Sequence, residues 1–235
     1  MKNKLVGALL MLLGVAGQAR AQVLVDSDFS AISVPANSEV LAPAYTPATG
    51  WTFSPSPYTE DANSAPNEAG VANGTGQNMN NAPGGQAAYL QNESSISQVV
   101  TLPISTVSLT FELEGRAPQS YADNAQQEIT TGQDEIEITL GSILLYEGTP
   151  TNTASFDTIT TLPAGFAAGT YTLTISGVTS GDPSNTSGGT FNDTMTFVDN
   201  VTLNVTQTPE PSSAAMLVLG GLVLGGITLR RRFVR

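Results

Sequence analysis
Between Val23 and Val205 the apolar residues come in short alternating runs and not at helical spacing, which is the signature of half-buried β-strands. The clearest run is Val107-Ser108-Leu109-Thr110-Phe111-Glu112-Leu113-Glu114, with Val107, Leu109, Phe111 and Leu113 on one face and the polar residues on the other. Similar alternation predicts strands at Glu135–Leu140, Tyr171–Ile175 and Val201–Val205. Shorter runs predict strands at Ala88–Leu90, Ser97–Leu102, Ile143–Tyr146 and Thr194–Val198. No long amphipathic helix is predicted, so the crossovers that a parallel sheet needs are missing. Short strands separated by turn-rich segments predict an all-β fold, an antiparallel jelly-roll β-sandwich in which each sheet buries one face. The stretch Ser54–Gln86 holds Pro55, Pro57, Pro66 and Pro83 among many asparagines and glycines; it reads as a long loop, too polar for a hairpin connection.

Two segments break this pattern, one near each end. Met1–Ala21 opens on Lys2 and Lys4, runs apolar from Leu5 to Ala16 and closes on Ala19-Arg20-Ala21 ahead of Gln22, the form of a cleavable secretory signal peptide. The run Ala214–Leu229 carries no charge and, taken from Ser212, nears the roughly 20 residues that cross a bilayer core. A transmembrane helix is therefore predicted over 212–229. Within it Gly221 and Gly225 have the small-x-x-x-small spacing that lets two helices approach closely. Arg230, Arg231 and Arg232 follow, and basic residues flanking a span resist translocation, which places everything before Pro209 outside the cytoplasm. The chain divides into a signal peptide (1–21), an exported β-sandwich (22–206) and a C-terminal signal (207–235).

Pro209, Glu210 and Pro211, then a glycine-rich apolar run, then the arginine cluster, resemble in that order the PEP-CTERM sorting signal of Gram-negative bacteria. The resemblance covers Thr208 to Arg235. It implies an exosortase as partner, a membrane-embedded enzyme that recognises Pro209, Glu210 and Pro211 and processes the protein. It also implies a path from the inner membrane to the cell envelope, the cell surface or the extracellular matrix. Without it, the same residues describe a plain single-pass anchor behind a proline-containing linker.

Charge narrows the function classes. Arg116 is the only Lys or Arg between Gln22 and Thr208, against nineteen acidic residues, so the exported domain has a formal charge of about −18. Such a surface repels phosphate backbones, which excludes nucleic-acid binding; it suits a divalent cation, or simply solubility. The chain contains no cysteine and no histidine. A domain expected in an oxidising compartment thus has no disulfide to brace it, and the usual general base, zinc ligand and triad member is missing. The role that follows is non-enzymatic.

A second resemblance covers nearly the whole exported domain. The order Gly50-Trp51-Thr52-Phe53, Gly70–Gly74, Gly84–Gln91, Ile96–Leu102, Leu109–Arg116, Ala168–Ile175 and Phe197–Val201 is similar to that of the galactose-binding-like jelly rolls of bacterial surface proteins and carbohydrate-binding modules. It implies a polysaccharide ligand, exopolysaccharide included, and first and last strands lying side by side. Those domains often open on Asn-Gly-Ser/Asp-Phe-Glu, whereas this chain has Asp26-Ser27-Asp28-Phe29-Ser30 and lacks the glutamate.

Several side chains are candidates for chemistry. With the termini side by side, Asp26, Asp28, Asp199 and Asn200 are placed to share a structural calcium ion; otherwise they make turns and edge charges. Tyr58, Tyr121, Trp51 and Tyr89 offer aromatic faces for sugar rings. Trp51, between Gly50 and Phe53, reads as core, while Tyr58 and Tyr121 read as loop residues and better ligand contacts. Arg116 either pairs with a carboxylate or contacts the ligand. Glu135 and Glu137 share a strand face and resemble part of the Glu-Ile-Asp-Ile-x-Glu signature of jelly-roll glycoside hydrolases, with Thr139 and Leu140 where a third acid is needed. The alternatives to a polysaccharide-binding protein are therefore a carboxylate-dependent hydrolase of envelope glycans and a purely structural matrix protein.

Overall fold
The computed structural model describes residues 20–22, 24, 27–34, 38–41, 50–55, 69–73, 86–116, 119–122, 128–178 and 191–207, with the backbone alone at 20–22, 38–41, 119–122, 128–132 and 191–193. Most of the predicted signal peptide and the whole Pro-Glu-Pro, apolar and arginine tail lie outside the described residues, as do Asp26 and Tyr58. Every regular element described is a strand. In chain order these are β1 (Arg20–Gln22), β2 (Ser38–Leu41), β3 (Thr52–Ser54), β4 (Ala69–Asn73), β5 (Gln86–Gln91), β6 (Ser95–Leu102), β7 (Ser105–Gly115) and β8 (Gln119–Ala122). They continue with β9 (Glu128–Gly132), β10 (Ile136–Leu140), β11 (Ile143–Gly148), β12 (Asp157–Thr160), β13 (Ala164–Phe166), β14 (Gly169–Gly177) and β15 (Phe191–Gln207).

The strands form two sheets. One has ten strands with the central order β12-β7-β15-β5-β4-β2, and the other has five in the order β11-β10-β14-β6-β3. Number β5, β6, β7, β10, β11, β12, β14 and β15 from one to eight, and the sheets read 1-8-3-6 and 2-7-4-5. That is the double Greek key of a jelly roll, derived from strand pairing alone. All pairings are antiparallel, as expected, except that β9 runs parallel to the start of β15 through Phe191–Thr194. The β1 strand pairs with β15 at Leu203–Val205 and straddles the predicted signal-peptide boundary at Ala21.

The core lies between the sheets. Leu109, Phe111 and Leu113 of β7, Ile136, Ile138 and Leu140 of β10 and Leu173 and Ile175 of β14 are all fully buried, the face that alternation predicts. Trp51 packs there as expected, its ring 5.4 Å from that of Phe29 at 39°. A smaller cluster of Ala72, Ala87, Tyr89, Met195 and Phe197 covers the other face of the large sheet, with Phe156 against it. Tyr89 is therefore an interior side chain and not a ligand platform. The same cover explains Glu114, expected to be wet but fully buried beside its strand partner Phe197.

Two local features set the register. The β10–β11 hairpin has a two-residue turn, since Leu140 pairs with Ile143, and Gly141 occupies its first position with φ +62°, as a type II′ turn requires. In β15, Asp199 pairs with Glu112 but Thr202 pairs with Thr110, so Asn200 and Val201 together oppose Phe111. This bulge, with Asn200 at φ +49°, shifts the inward face from Val198 to Val201, Leu203 and Val205. The two strands predicted at 194–198 and 201–205 are thus one.

The connections of a jelly roll gather at two ends. Gln207 pairs with Ser105, so β15 leaves the sandwich at the end where β6 turns into β7 and β13 into β14. At the far end lie Asn92–Ser94, Arg116, Gln133–Glu135, Thr149–Phe156 and Val178. Their backbones interlock there: Arg116 N donates to Met195 O (3.1 Å), Gly115 N to Asn152 O (2.8 Å) and Val178 N to Glu135 O (2.8 Å).

Candidate functional site
At the far end, β11 and β12 are the edge strands of the two sheets on the same side of the sandwich. The segment joining them, Thr149–Phe156, is rich in Thr, Ser and Asn and folds back on itself: Asn152 Oδ1 accepts from Ala154 N (2.9 Å) and its amide donates to Ser155 Oγ (2.7 Å). Between the edges opens a cleft of about 430 Å³ lined by Leu113, Tyr146, Thr149, Pro150, Thr151, Asp157, Thr158 and Ile159. This volume falls within the range of small-ligand sites. Its floor is apolar and its rim carries two kinds of polar group. Thr149, Thr151 and Thr158 are exposed hydroxyls, and the Asp157 carboxylate accepts from Thr151 Oγ1 at 2.9 Å.

Tyr146 is the aromatic wall. Its ring meets Phe111 edge to face, centroids 5.1 Å apart at 74°, so the core fixes its orientation. Burial raises the phenol pKa above its ordinary value of 10.0, because the charged form is disfavoured away from water. The unfolded chain therefore ionises first, and stability that is intact below pH 10 falls as pH climbs from there through the raised value. Replacing Tyr146 by phenylalanine is expected to flatten this alkaline decline, read as urea midpoints between pH 9 and 11; an unchanged slope would show that other groups produce it.

The sequence-derived candidates distribute unevenly. Arg116 directly follows β7 and sits at the far end, its neighbour Gly115 bonded to the cleft's own segment. Tyr121 lies on a strand and not in a loop, opposite Ile129, and its sheet joins the start of β15 at the same end. Glu135 is exposed just before β10, while Glu137 faces outward from the five-stranded sheet beside Ser176 and Glu147; neither lines the cleft. The termini do run side by side, as Val201 N donates to Ser27 O at 2.9 Å. At that point Asp28 Oδ1 accepts from the backbone and hydroxyl of Ser30, the buried Asp199 accepts from Asn200 N (2.7 Å) and the Asn200 amide donates to Glu112 (3.0 Å). Among the described residues no group of three or more His, Cys, Asp or Glu is arranged to hold a metal ion.

Sequence reasoning missed Tyr146, Asp157 and Thr158 as a group. The available signal was the turn-rich stretch GTPTNTASF between two strands, the same kind of composition that marks functional loops.

No family model matches the chain, and no curated protein matches it. Solved structures similar to it include TmCBM61 in complex with β-1,4-galactotriose, at 14% identity, covering 80% of this chain and 99% of that one with a TM-score of 0.42. Another is the CBM22-1 xylan-binding domain from Paenibacillus barcinonensis Xyn10C, at 9% identity over 69% and 89% of the two chains, TM-score 0.37. A family 35 carbohydrate binding module from an environmental isolate is 13% identical over 68% and 91%, TM-score 0.33.

Proposed function
We propose that this is an exported, non-enzymatic envelope protein that binds a neutral polysaccharide at the cleft between β11 and β12. The cleft carries the reading: an oriented aromatic ring, three exposed hydroxyls and one carboxylate acceptor around an apolar floor match the mixed apolar and hydroxyl faces of a sugar ring. Arg116, at the same end, extends the contact surface, and the backbone of β8 carries Tyr121 to that end as a further candidate contact. The polymer is neutral because a domain of about −18 formal charge repels anionic chains. The N-terminal segment directs export. The PEP-CTERM-like tail, through Pro209, Glu210, Pro211 and Arg230–Arg232, is read by an exosortase, and its apolar run anchors the protein in the inner membrane before processing. Among the described residues no helix is long and apolar enough to cross a membrane; the anchor is the tail at 212–229.

Affinity electrophoresis of the detergent-solubilised chain tests the binding. Gels containing a neutral galactan, xylan or glucan are expected to retard it, and an acidic polymer to leave it unretarded. Asp157→Ala and Thr158→Ala, both at positions on an edge strand, are expected to abolish the retardation while leaving the unfolding free energy from urea titration within about 0.5 kcal/mol of the parent. Equal migration of parent and variants in every gel would sink the polysaccharide reading for the polymers used.

A further inference from the structure
The two ends of the sandwich differ sharply in chemistry. The far end is built mostly of polar residues, Asn92-Glu93, Arg116, Gln133-Asp134-Glu135 and Thr149–Phe156, with Val178 its one large exposed apolar side chain among the described residues. At the end where β15 exits, two connections instead present exposed apolar pairs, Pro103-Ile104 between β6 and β7 and Ala167-Ala168 between β13 and β14, and a third pair, Leu162-Pro163 between β12 and β13, flanks the edge of β7 between Leu109 and Val107, a few residues from that end. Leu162 is 88% exposed and Ile104 47%. Both are large hydrophobic side chains held in water by well-ordered neighbours, since Thr161 bonds Leu109 through its amide and its hydroxyl at 2.9 Å each, and Ser105 Oγ bonds Pro103 O at 2.9 Å. Exposed apolar groups clustered this way mark a contact surface.

Charge is partitioned in the same direction. No acidic residue occurs in Leu102–Leu109, Thr139–Leu144, Thr160–Leu173 or Thr202–Thr208, the parts of these strands and connections toward the exit end, although the domain holds nineteen acids; Asp28, next to the Ser27 that bonds Val201, is the acid that the N-terminal segment brings toward it. The chain leaves β15 at Gln207 beside this tip, and only Thr208, Pro209, Glu210 and Pro211 separate it from the apolar run that begins at Ser212. Four residues span on the order of 15 Å even when fully extended, less than the length of the sandwich. The β1 strand, at Arg20–Gln22, also pairs beside Leu203–Val205 toward this end.

We infer that the exit end is a membrane-docking surface, with Ile104 and Leu162 seated in the interfacial zone of the bilayer that holds the tail. The inference rests on the anchoring reading of 212–229. A short tether holds the apolar tip against the surface, where burying two large apolar side chains is favourable. The acid-poor rim limits repulsion from anionic headgroups. The polysaccharide cleft then points away from the membrane.

The chain has no cysteine, so single-site labels are unambiguous. Full-length Ile104→Cys, Leu162→Cys and Ala154→Cys, each carrying nitrobenzoxadiazole, are reconstituted with phosphatidylcholine vesicles containing a headgroup-level nitroxide quencher. Flotation reports anchoring, and loss of fluorescence reports contact. The expected result is co-flotation of all three, with quenching at positions 104 and 162 and none at the exposed far-end position 154. Flotation without quenching at 104 and 162, or with equal quenching at 154, overturns the docking surface and leaves the anchor standing. Failure to float overturns the anchor, and the docking surface with it.

Discussion
Replacing Gly177 by alanine is expected to remove about 3 kcal/mol of folding stability, the upper part of the range for overpacking a filled interior. A Cβ at Gly177 would run into the carbonyl oxygen of Asn92 and the carboxylate of Asp134, and neither can retreat. Asn92 sits at φ +49°, a left-handed conformation that asparagine tolerates in tight turns. Its backbone N donates to Thr194 O at 3.1 Å, and its Oδ1 accepts from Thr194 N at 3.2 Å and Oγ1 at 2.7 Å. Asp134 is tied through its backbone to Thr196 Oγ1, accepting at 2.7 Å and donating at 3.1 Å. Gly177 itself donates to Ser94 O at 2.9 Å. Three cross-sheet connections therefore meet where one methyl group has no room. Urea unfolding of the purified variant checks this; a loss below about 1 kcal/mol would mean that the β5–β6 turn yields.

The second large effect is expected at Gln86, the first residue of β5. Its side chain is buried and makes three bonds to the segment before β2: Oε1 accepts from Val34 N at 3.1 Å, and Nε2 donates to Phe29 O at 3.0 Å and Ile32 O at 2.7 Å. One amide thus satisfies three backbone groups that no strand partner reaches. Gln86→Leu keeps the volume and removes all three bonds; Phe29 O keeps Ile32 N at 3.4 Å, but Val34 N and Ile32 O lose their side-chain partner, and with each buried orphan worth roughly 1–3 kcal/mol, a loss of about 2–3 kcal/mol is expected after local relaxation. Amide exchange at Val34 localises the effect, rising sharply in the variant. Unchanged exchange there would show that the segment is held by Phe29, Ile32 and Val34 in the core and not by Gln86.

These two residues also show where a sequence stops being legible. Period-two alternation revealed β7, β10 and β14 because each buries one face and wets the other over five residues or more. It failed at β15, where the bulge at Asn200–Val201 changes the inward parity and splits one strand into two apparent ones. It missed β12, whose only apolar residue is Ile159, because an edge strand needs little hydrophobic surface. It also missed β4, whose Ala69, Val71 and Ala72 are buried but stand among asparagines and prolines. The cleft was illegible for a different reason. Tyr146, Asp157 and Thr158 come from two edge strands in different sheets, and only the jelly-roll connection brings those edges to one side. Trp51 was readable as core from its glycine and phenylalanine neighbours, whereas Tyr89 on a buried strand looked no different from an exposed tyrosine.

The length of β15 has a mechanical consequence. It runs 17 residues from the far end to Gln207, flanked by β7 along most of its course and by β5 and β1 on its other side. A pull applied between the far end and Gln207 runs parallel to the axis of this one strand. The hydrogen bonds to β7 lie across that line of force, so they are loaded together in shear rather than opened one after another from an end. At Gln207 the described sandwich thus ends on the strand whose neighbours share a load most evenly.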